Sequence, residues 1–155
     1  MRYAQNTTVP VDRSRAEIER TLLRFGASKF QYGWDGDHAV ITFALHDRVI
    51  RFTLPLPDRN DPKFTKTAGG RRDRSTAAAA AAWEAAQRQK FRALALSIKS
   101  KLVAVDEQIS EFEDEFLAHI VVPGGHTVGQ MVRPQISAAY ASKTAPKILL
   151  LSGGA

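Results

Sequence analysis

The stretch that decides the fold is Thr76 to Val105, TAAAAAAWEAAQRQKFRALALSIKSKLVAV. Six consecutive alanines open it and it contains neither glycine nor proline, so its composition favours one long α-helix. On a helical wheel the apolar side chains occupy an arc of about 100°, and three basic side chains lie within about 40° of each other elsewhere. The apolar stripe is Trp83, Phe91, Leu94, Ile98, Leu102 and Val105, and the basic stripe is Arg88, Arg92 and Lys99. We predict that this helix buries the first stripe and exposes the second.

The residues before this helix predict an extended arm, one helix and three antiparallel strands. Residues 1–11 show no regular spacing of apolar side chains. Residues 14–25 have helical spacing, with Ser14 and Glu17 at capping-box positions. Alternating apolar residues then predict a β-meander, because turn residues separate three runs of period two. The apolar positions of the three strands are Phe30, Tyr32 and Trp34, then Ile41, Phe43 and Leu45, then Ile50, Phe52, Leu54 and Leu56.

The remaining segments predict a loop, two further helices and a tail. Residues 58–75 are polar, basic and aperiodic, which indicates a surface loop. Helical spacing recurs from Phe112 to Val121 and again after Thr127, where Pro134 either kinks the last helix or marks its start. Residues 143–155 form a tail with an apolar run at its centre. The sequence thus predicts a single α+β domain over residues 1–155, with the long helix packed on the sheet.

Composition narrows the classes of protein to which this chain can belong. The 155 residues include no cysteine, which excludes disulfides, thiolate nucleophiles and cysteine metal sites. No segment has the composition of a signal peptide or approaches the roughly 20 apolar residues of a membrane span. We therefore expect a cytoplasmic protein that binds neither a membrane nor a cofactor.

The charges of the chain are unevenly distributed. The formal net charge is +6, which makes an acidic partner plausible, with nucleic acid as the first candidate. Six basic residues lie between Arg59 and Arg74, whereas Asp106 to Glu115 contains six carboxylates and no Lys or Arg. This pattern predicts two faces of opposite charge.

Four segments resemble small proteins encoded by phages and prophages. They are DRSRAEIER from Asp12, RFTLPLPDRND from Arg51, FEDEFLAHIVVPGG from Phe112 and TVGQMVRPQ from Thr127. The resemblance implies an accessory protein that acts in the cytoplasm of the host cell. It supplies no catalytic residues, and accessory proteins of this size commonly handle DNA or block host defences by binding. We therefore expect a non-enzymatic function.

The first functional hypothesis is nucleic-acid binding, with DNA favoured over RNA. The residues expected to pair with phosphates come from the basic loop and the basic stripe of the long helix. They are Arg71, Arg72, Arg74, Arg88, Arg92 and Lys99. The aromatic strand could add a stacking surface for single strands, or it could be the core face beneath a helix. Sequence alone leaves both interpretations open.

The second hypothesis is an anti-defence inhibitor, for example an anti-CRISPR, that binds a host protein complex. Glu111, Glu113 and Glu115 would occupy a basic groove of the target. The apolar run from Ile148 to Leu151 also permits a homodimer. Glu111, Glu115 and His119 have a helical spacing compatible with a divalent ion, but such runs are more often solvated surface, and we predict no metal site.

Overall fold

The computed structural model describes residues 3–146 and has the predicted α+β architecture. Two helices and a four-stranded antiparallel sheet enclose one hydrophobic core, and the strands lie in the order β1-β2-β3-β4. The elements in chain order are α1 (Val11–Arg24), β1 (Ser28–Asp35), β2 (His38–Leu45), β3 (Arg48–Pro55), α2 (Pro62–Thr65), α3 (Thr76–Asp106), α4 (Phe112–Phe116), β4 (Ile120–Val121) and α5 (Val128–Ser142).

Helix α1 begins three residues earlier than the capping-box pattern predicts. Ser14 is not a cap but lies inside the helix, fully buried, with a hydroxyl that has no hydrogen-bond partner within the described residues. Ser14 is four residues before Ile18 and eight before Leu22, so the three share the face that packs into the core. The helix therefore starts at Val11 without a side-chain cap, and Ser14 belongs to its buried face.

The predicted end of α1 is confirmed at Gly26. Gly26 has φ +88°, and its N–H donates to the Leu23 carbonyl at 3.1 Å. The N–H of Ala27 donates to the Leu22 carbonyl at 2.9 Å. These two bonds form a Schellman motif, in which glycine adopts the left-handed conformation without steric cost.

The three-stranded meander is confirmed, and its second turn has a well-defined type. His46 and Asp47 connect β2 to β3 with φ of 48° and 59°, as a two-residue type I′ turn requires. Strands β2 and β3 pair without interruption from His38↔Pro55 to Leu45↔Arg48. Strands β1 and β2 pair from Gln31↔Thr42 onward, after an irregularity that contains Lys29 at φ 56°.

The predicted helix from Phe112 to Val121 is wrong in its second half. Only Phe112–Phe116 is α-helical, a 3-10 turn follows, and Ile120–Val121 forms β4 beside β3. The helical spacing is real, because Phe112, Phe116 and Ile120 are all buried, but Ile120 reaches the core from a strand. A two-residue strand has too little alternation to be recognised in a sequence.

Helix α3 matches the prediction closely in its bounds and packs one face on the sheet. Ala95, Ile98 and Leu102 are buried there with residues from α1, β2 and β3, and Phe91 is buried beside Tyr32 of β1. None of the helix's residues before Phe91 is buried. At 1.5 Å per residue, the 15 residues from 76 to 90 add about 22 Å of helix beyond this core.

Helix α5 is attached to the domain by its first turns. The predicted cap at Thr127 is confirmed, and Gln130 completes a capping box with it, so the helix starts at Val128 and continues through Pro134. Gly129 packs against the 3-10 turn so tightly that an added Cβ would lie 2.8 Å from the Ala118 carbonyl oxygen. The apolar run Ile148 to Leu151 lies outside the described residues.

Replacing Gly129 with alanine should weaken this attachment. The Cβ would contact a backbone oxygen, which cannot move aside like a flexible side chain, and overpacking typically costs about 1–3 kcal/mol. We expect a lower free energy of unfolding by urea denaturation, although alanine is the better helix former by about 1 kcal/mol.

The matched control for this change is Gly33→Ala, because nothing lies within 4 Å of a Cβ at Gly33. This variant should be as stable as the wild type or slightly more stable. Equal stability of the two variants would show that the close approach at Gly129 does not constrain α5.

Candidate nucleic-acid interface

The basic loop is an ordered hairpin at its tip rather than an irregular segment. Lys66 and Asp73 form an isolated antiparallel bridge, and the Thr67 N–H donates to the Arg72 carbonyl at 2.9 Å. Gly70 closes the turn with φ +67°, and its N–H donates a hydrogen bond of 2.7 Å to the Thr67 carbonyl. The backbone therefore holds Arg71 and Arg72 at a defined position near the N-terminus of α3.

The base of the loop is anchored to the domain by two contacts. Phe64, in the short helix α2, is buried, and the indole N–H of Trp83 donates to the Pro57 carbonyl at 2.8 Å. The guanidinium of Arg59 lies 4.1 Å from the centre of the Trp83 ring. Trp83 therefore packs on this loop. Its position in the apolar stripe predicts burial in the sheet core, and that prediction is wrong for this residue.

The ion pairs of the loop leave its arginines without carboxylate partners. Asp61 pairs with Lys63 at 2.9 Å, and Asp73 pairs with Lys66 at 2.5 Å. Hydrogen bonds from the side chain and backbone of Lys63 lower the pKa of Asp61. Within residues 3–146, the three candidate arginines of the loop make no ion pair. Arg71 and Arg72 are exposed and Arg74 is half-buried.

The basic stripe of α3 does not form one exposed surface. Arg92 pairs with Glu17 of α1, and both side chains are largely buried. Arg88 is half-buried, and its buried Nε has no hydrogen-bond partner in the described part of the chain. Only Lys99 is exposed. The helical wheel predicts exposure of all three basic side chains because it contains no information about α1, which covers this flank of α3.

The aromatic strand is divided between the core and the surface. Phe30 and Tyr32 are half-buried against the core, and the Tyr32 ring lies 6.2 Å from the Phe91 ring of α3. Trp34 continues the same face of β1 but is 74% exposed. The core interpretation therefore holds for two of the three rings.

The three acidic candidates have different environments. Glu113 pairs with Arg48 at 2.7 Å, and Glu115 pairs with Lys101 at 3.2 Å. Glu111 is exposed and makes no ion pair within residues 3–146. Two of the three carboxylates therefore already have intramolecular partners.

His119 is packed within the domain rather than grouped with the carboxylates. Its ring stacks on Phe52 at 4.0 Å between ring centres. In the described part of the chain, no three His, Cys, Asp or Glu side chains are arranged to hold a metal ion. Burial lowers the pKa of His119, the charge of Lys101 lowers it further, and a backbone hydrogen bond with Arg51 opposes both.

Stability should consequently fall when the pH drops below the ordinary histidine pKa of 6.5. The unfolded chain takes up a proton at His119 at higher pH than the folded chain, so acidification favours unfolding until the folded pKa is passed. We expect a lower urea midpoint at about pH 5 than at about pH 7.5. The lowered pKa of Asp61 affects stability only in more acidic solution, because the ordinary pKa of an aspartate is 3.8.

The variant His119→Gln tests this assignment, because glutamine keeps polar atoms in the site but does not titrate in this range. The pH dependence of the midpoint should be smaller in the variant than in the wild type. An unchanged difference between the two pH values would assign the effect to other groups.

One cavity was not predicted from the sequence. It is a groove of about 740 Å³ on the sheet face opposite α1 and α3. Its lining includes Gln31, Thr42 and Arg51, which are neighbours across three strands, and Gln130 of α5. The Arg51 guanidinium donates to the Gly125 carbonyl at 2.9 Å. Alternation marks these positions as one polar face, but only the folded chain shows that the core helices pack on the other face and that Gln130 of α5 borders this one.

The comparisons with known proteins leave the family open. No family model, no curated protein and no solved structure matches this chain significantly. Among the described helices, none is long and apolar enough to cross a membrane. The interpretation of function therefore depends on the geometry of the chain itself.

Proposed function

We propose that this protein is a non-enzymatic phage accessory protein that binds nucleic acid, with DNA favoured over RNA. The contact surface is the arginine hairpin, defined here as residues 66–74. Its arginines Arg71, Arg72 and Arg74 pair with phosphates, and the exposed Lys99 is a further candidate. Arg88 and Arg92 take a smaller part, because the first is half-buried and the second pairs with Glu17.

The observation that carries the proposal is the pairing of charges in the loop. Both aspartates between Arg59 and Arg74 are neutralised by lysines, and the arginines are left to interact with an external anion. A guanidinium can donate two parallel hydrogen bonds to one phosphate, which a lysine ammonium cannot. Because the backbone of the hairpin is already ordered, little backbone entropy is lost when these contacts form.

The test is a titration of labelled single-stranded and double-stranded oligonucleotides, followed by fluorescence anisotropy at about 50 and about 200 mM salt. Three phosphate contacts give a slope of log affinity against log salt of about −2.7 for a duplex. The fourfold rise in salt should then weaken duplex binding about 40-fold and single-strand binding about 20-fold. If no oligonucleotide binds at the lower salt concentration, the proposal is wrong.

The inhibitor hypothesis remains a prediction with less support. Glu113 and Glu115 already pair with Arg48 and Lys101, which compete with a basic groove of a host protein for these carboxylates. Glu111 is the remaining carboxylate of the predicted set without such a partner in residues 3–146.

A further inference from the structure

Trp34 is unusual because a large apolar ring on a regular strand is left uncovered. It occupies the penultimate position of β1 and is 74% exposed, although its cross-strand partner Ala39 is fully buried. Helices α1 and α3 cover the same face of the sheet at Tyr32 but leave Trp34 accessible. Exposed tryptophans held in a fixed geometry are frequent contact points for ligands and partners.

The surroundings of Trp34 hold its ring in place. The Tyr32 ring meets it edge to face, with 6.1 Å between centres and an interplanar angle of 74°. Tyr32 itself is packed, because the Arg15 guanidinium lies 4.1 Å from its ring centre and the Phe91 ring lies at 6.2 Å. The indole therefore packs on a ring that is itself held by the core, and the rest of its surface is open to a stacking partner.

The position of Trp34 relates it to the arginine hairpin. Strands β1 and β3 finish at the same end of the sheet, where His38 pairs with both Asp35 and Pro55. The chain leaves β3 here, and the Leu56 N–H donates to the Asp37 carbonyl at 2.8 Å. The segment that carries the arginine hairpin therefore starts from the end of the sheet that presents Trp34.

We infer that Trp34 is the stacking position for an unpaired base and that the ligand of this protein is single-stranded nucleic acid. The inference rests on the proposed function and specifies its substrate class. Every base has a flat π face that can stack on an indole, whereas the bases of a duplex are already stacked on one another. Asp35 and Asp37 follow Trp34 in the turn, and Asp37 pairs with His38. The phosphates therefore lie away from this turn, while the base covers the ring.

The experiment compares Trp34→Ala, Trp34→Phe and the control Tyr140→Ala by the same anisotropy titrations. Tyr140 is a suitable control because it is an aromatic residue with 84% exposure on α5. Base stacking on an aromatic ring typically changes affinity by about 5-fold to 150-fold. We expect Trp34→Ala to weaken single-strand binding at least about 10-fold and to leave duplex binding and the salt slope unchanged. Trp34→Phe should retain most of the affinity, and Tyr140→Ala should behave like the wild type.

Intrinsic fluorescence gives a second readout. Binding of an unlabelled single strand should quench the wild-type emission, and the quenching should disappear in Trp34→Ala, in which Trp83 is the remaining tryptophan. If Trp34→Ala binds single strands as tightly as the wild type while the loop arginines are still required, the inference is wrong and the proposed function stands. If the wild type binds no oligonucleotide, both fail together.

Discussion

Replacing Arg71, Arg72 and Arg74 with glutamate should remove nucleic-acid binding while leaving the fold intact. The exchange eliminates three phosphate contacts and adds three repulsive charges, so we expect affinity at about 50 mM salt to fall at least about 100-fold. Stability should change little, because the hairpin is held by backbone hydrogen bonds and the Lys66–Asp73 pair, which all remain. Anisotropy titration measures the loss, and circular dichroism checks the fold.

The control for this experiment separates a local site from overall charge. Each arginine-to-glutamate exchange changes the charge by two, so three exchanges take the formal net charge from +6 to zero. The variant Arg13→Glu, Arg20→Glu, Arg24→Glu makes the same change at exposed positions of α1. It should retain most of the affinity. Equal losses in both variants would mean that binding depends on net charge and not on the arginine hairpin.

A third variant with glutamine at the three loop positions tests the number of contacts. Glutamine removes the charges without adding repulsion, so the salt slope for a duplex should become less negative by about 2.7. Arg92 is unsuitable for such a test, since its loss would leave Glu17 unpaired between α1 and α3. An unaltered slope would exclude the three arginines as phosphate contacts.

Replacing Phe116 with alanine should cause the largest loss of stability. This side chain is fully buried, and its ring meets the rings of Phe43 and Phe52 edge to face, each with 6.4 Å between centres. It also packs on Phe112 at 5.0 Å, so one substitution removes contacts to both central strands and to α4. Such a truncation costs about 3–5 kcal/mol, a large part of the roughly 5–15 kcal/mol that stabilises a typical domain.

The neighbouring variant Leu117→Ala is the matched control for this substitution. Leu117 is 49% exposed, so its truncation should cost less than about 1 kcal/mol in urea denaturation. Oligonucleotide affinity of the Phe116→Ala protein should fall only in proportion to its unfolded fraction, because Phe116 lies away from the arginine hairpin. A stability loss as small as that of Leu117→Ala would contradict the position of Phe116 at the centre of the core.

The elements that the sequence predicted are those coded by neighbouring residues. The long helix follows from its alanine run and the absence of glycine and proline, and the end of α1 follows from one glycine in the left-handed conformation. The meander follows from strict alternation between short turns. In each case the interactions that decide the conformation lie within a few residues along the chain.

The elements that the sequence missed depend on partners far away in the chain. Strand β4 exists because Ile120 and Val121 meet β3 some 70 residues earlier. Helix α1 starts without a side-chain cap, and its buried face with Ile18 and Leu22 packs into a core shared with the sheet and α3. The loop combines both kinds of interaction, because the backbone pairing of its tip is local whereas Trp83 of the following helix anchors its base at Pro57.

The candidate site shows the same division. Composition alone identified the arginines between residues 59 and 74, because charge density is a local property of the sequence. On α3, the tertiary structure decided which cations are available, because it pairs Arg92 with Glu17 of α1. In the loop, Lys63 and Lys66 pair with Asp61 and Asp73, which are two and seven residues away in the chain. The exposure of Trp34 was likewise decided by where α1 and α3 cross the sheet. The sequence by itself thus determined the long helix, the end of α1, the meander and the basic segment. Only the tertiary structure decided that Arg92 is paired and that Trp34 is exposed, because both depend on elements distant in the chain.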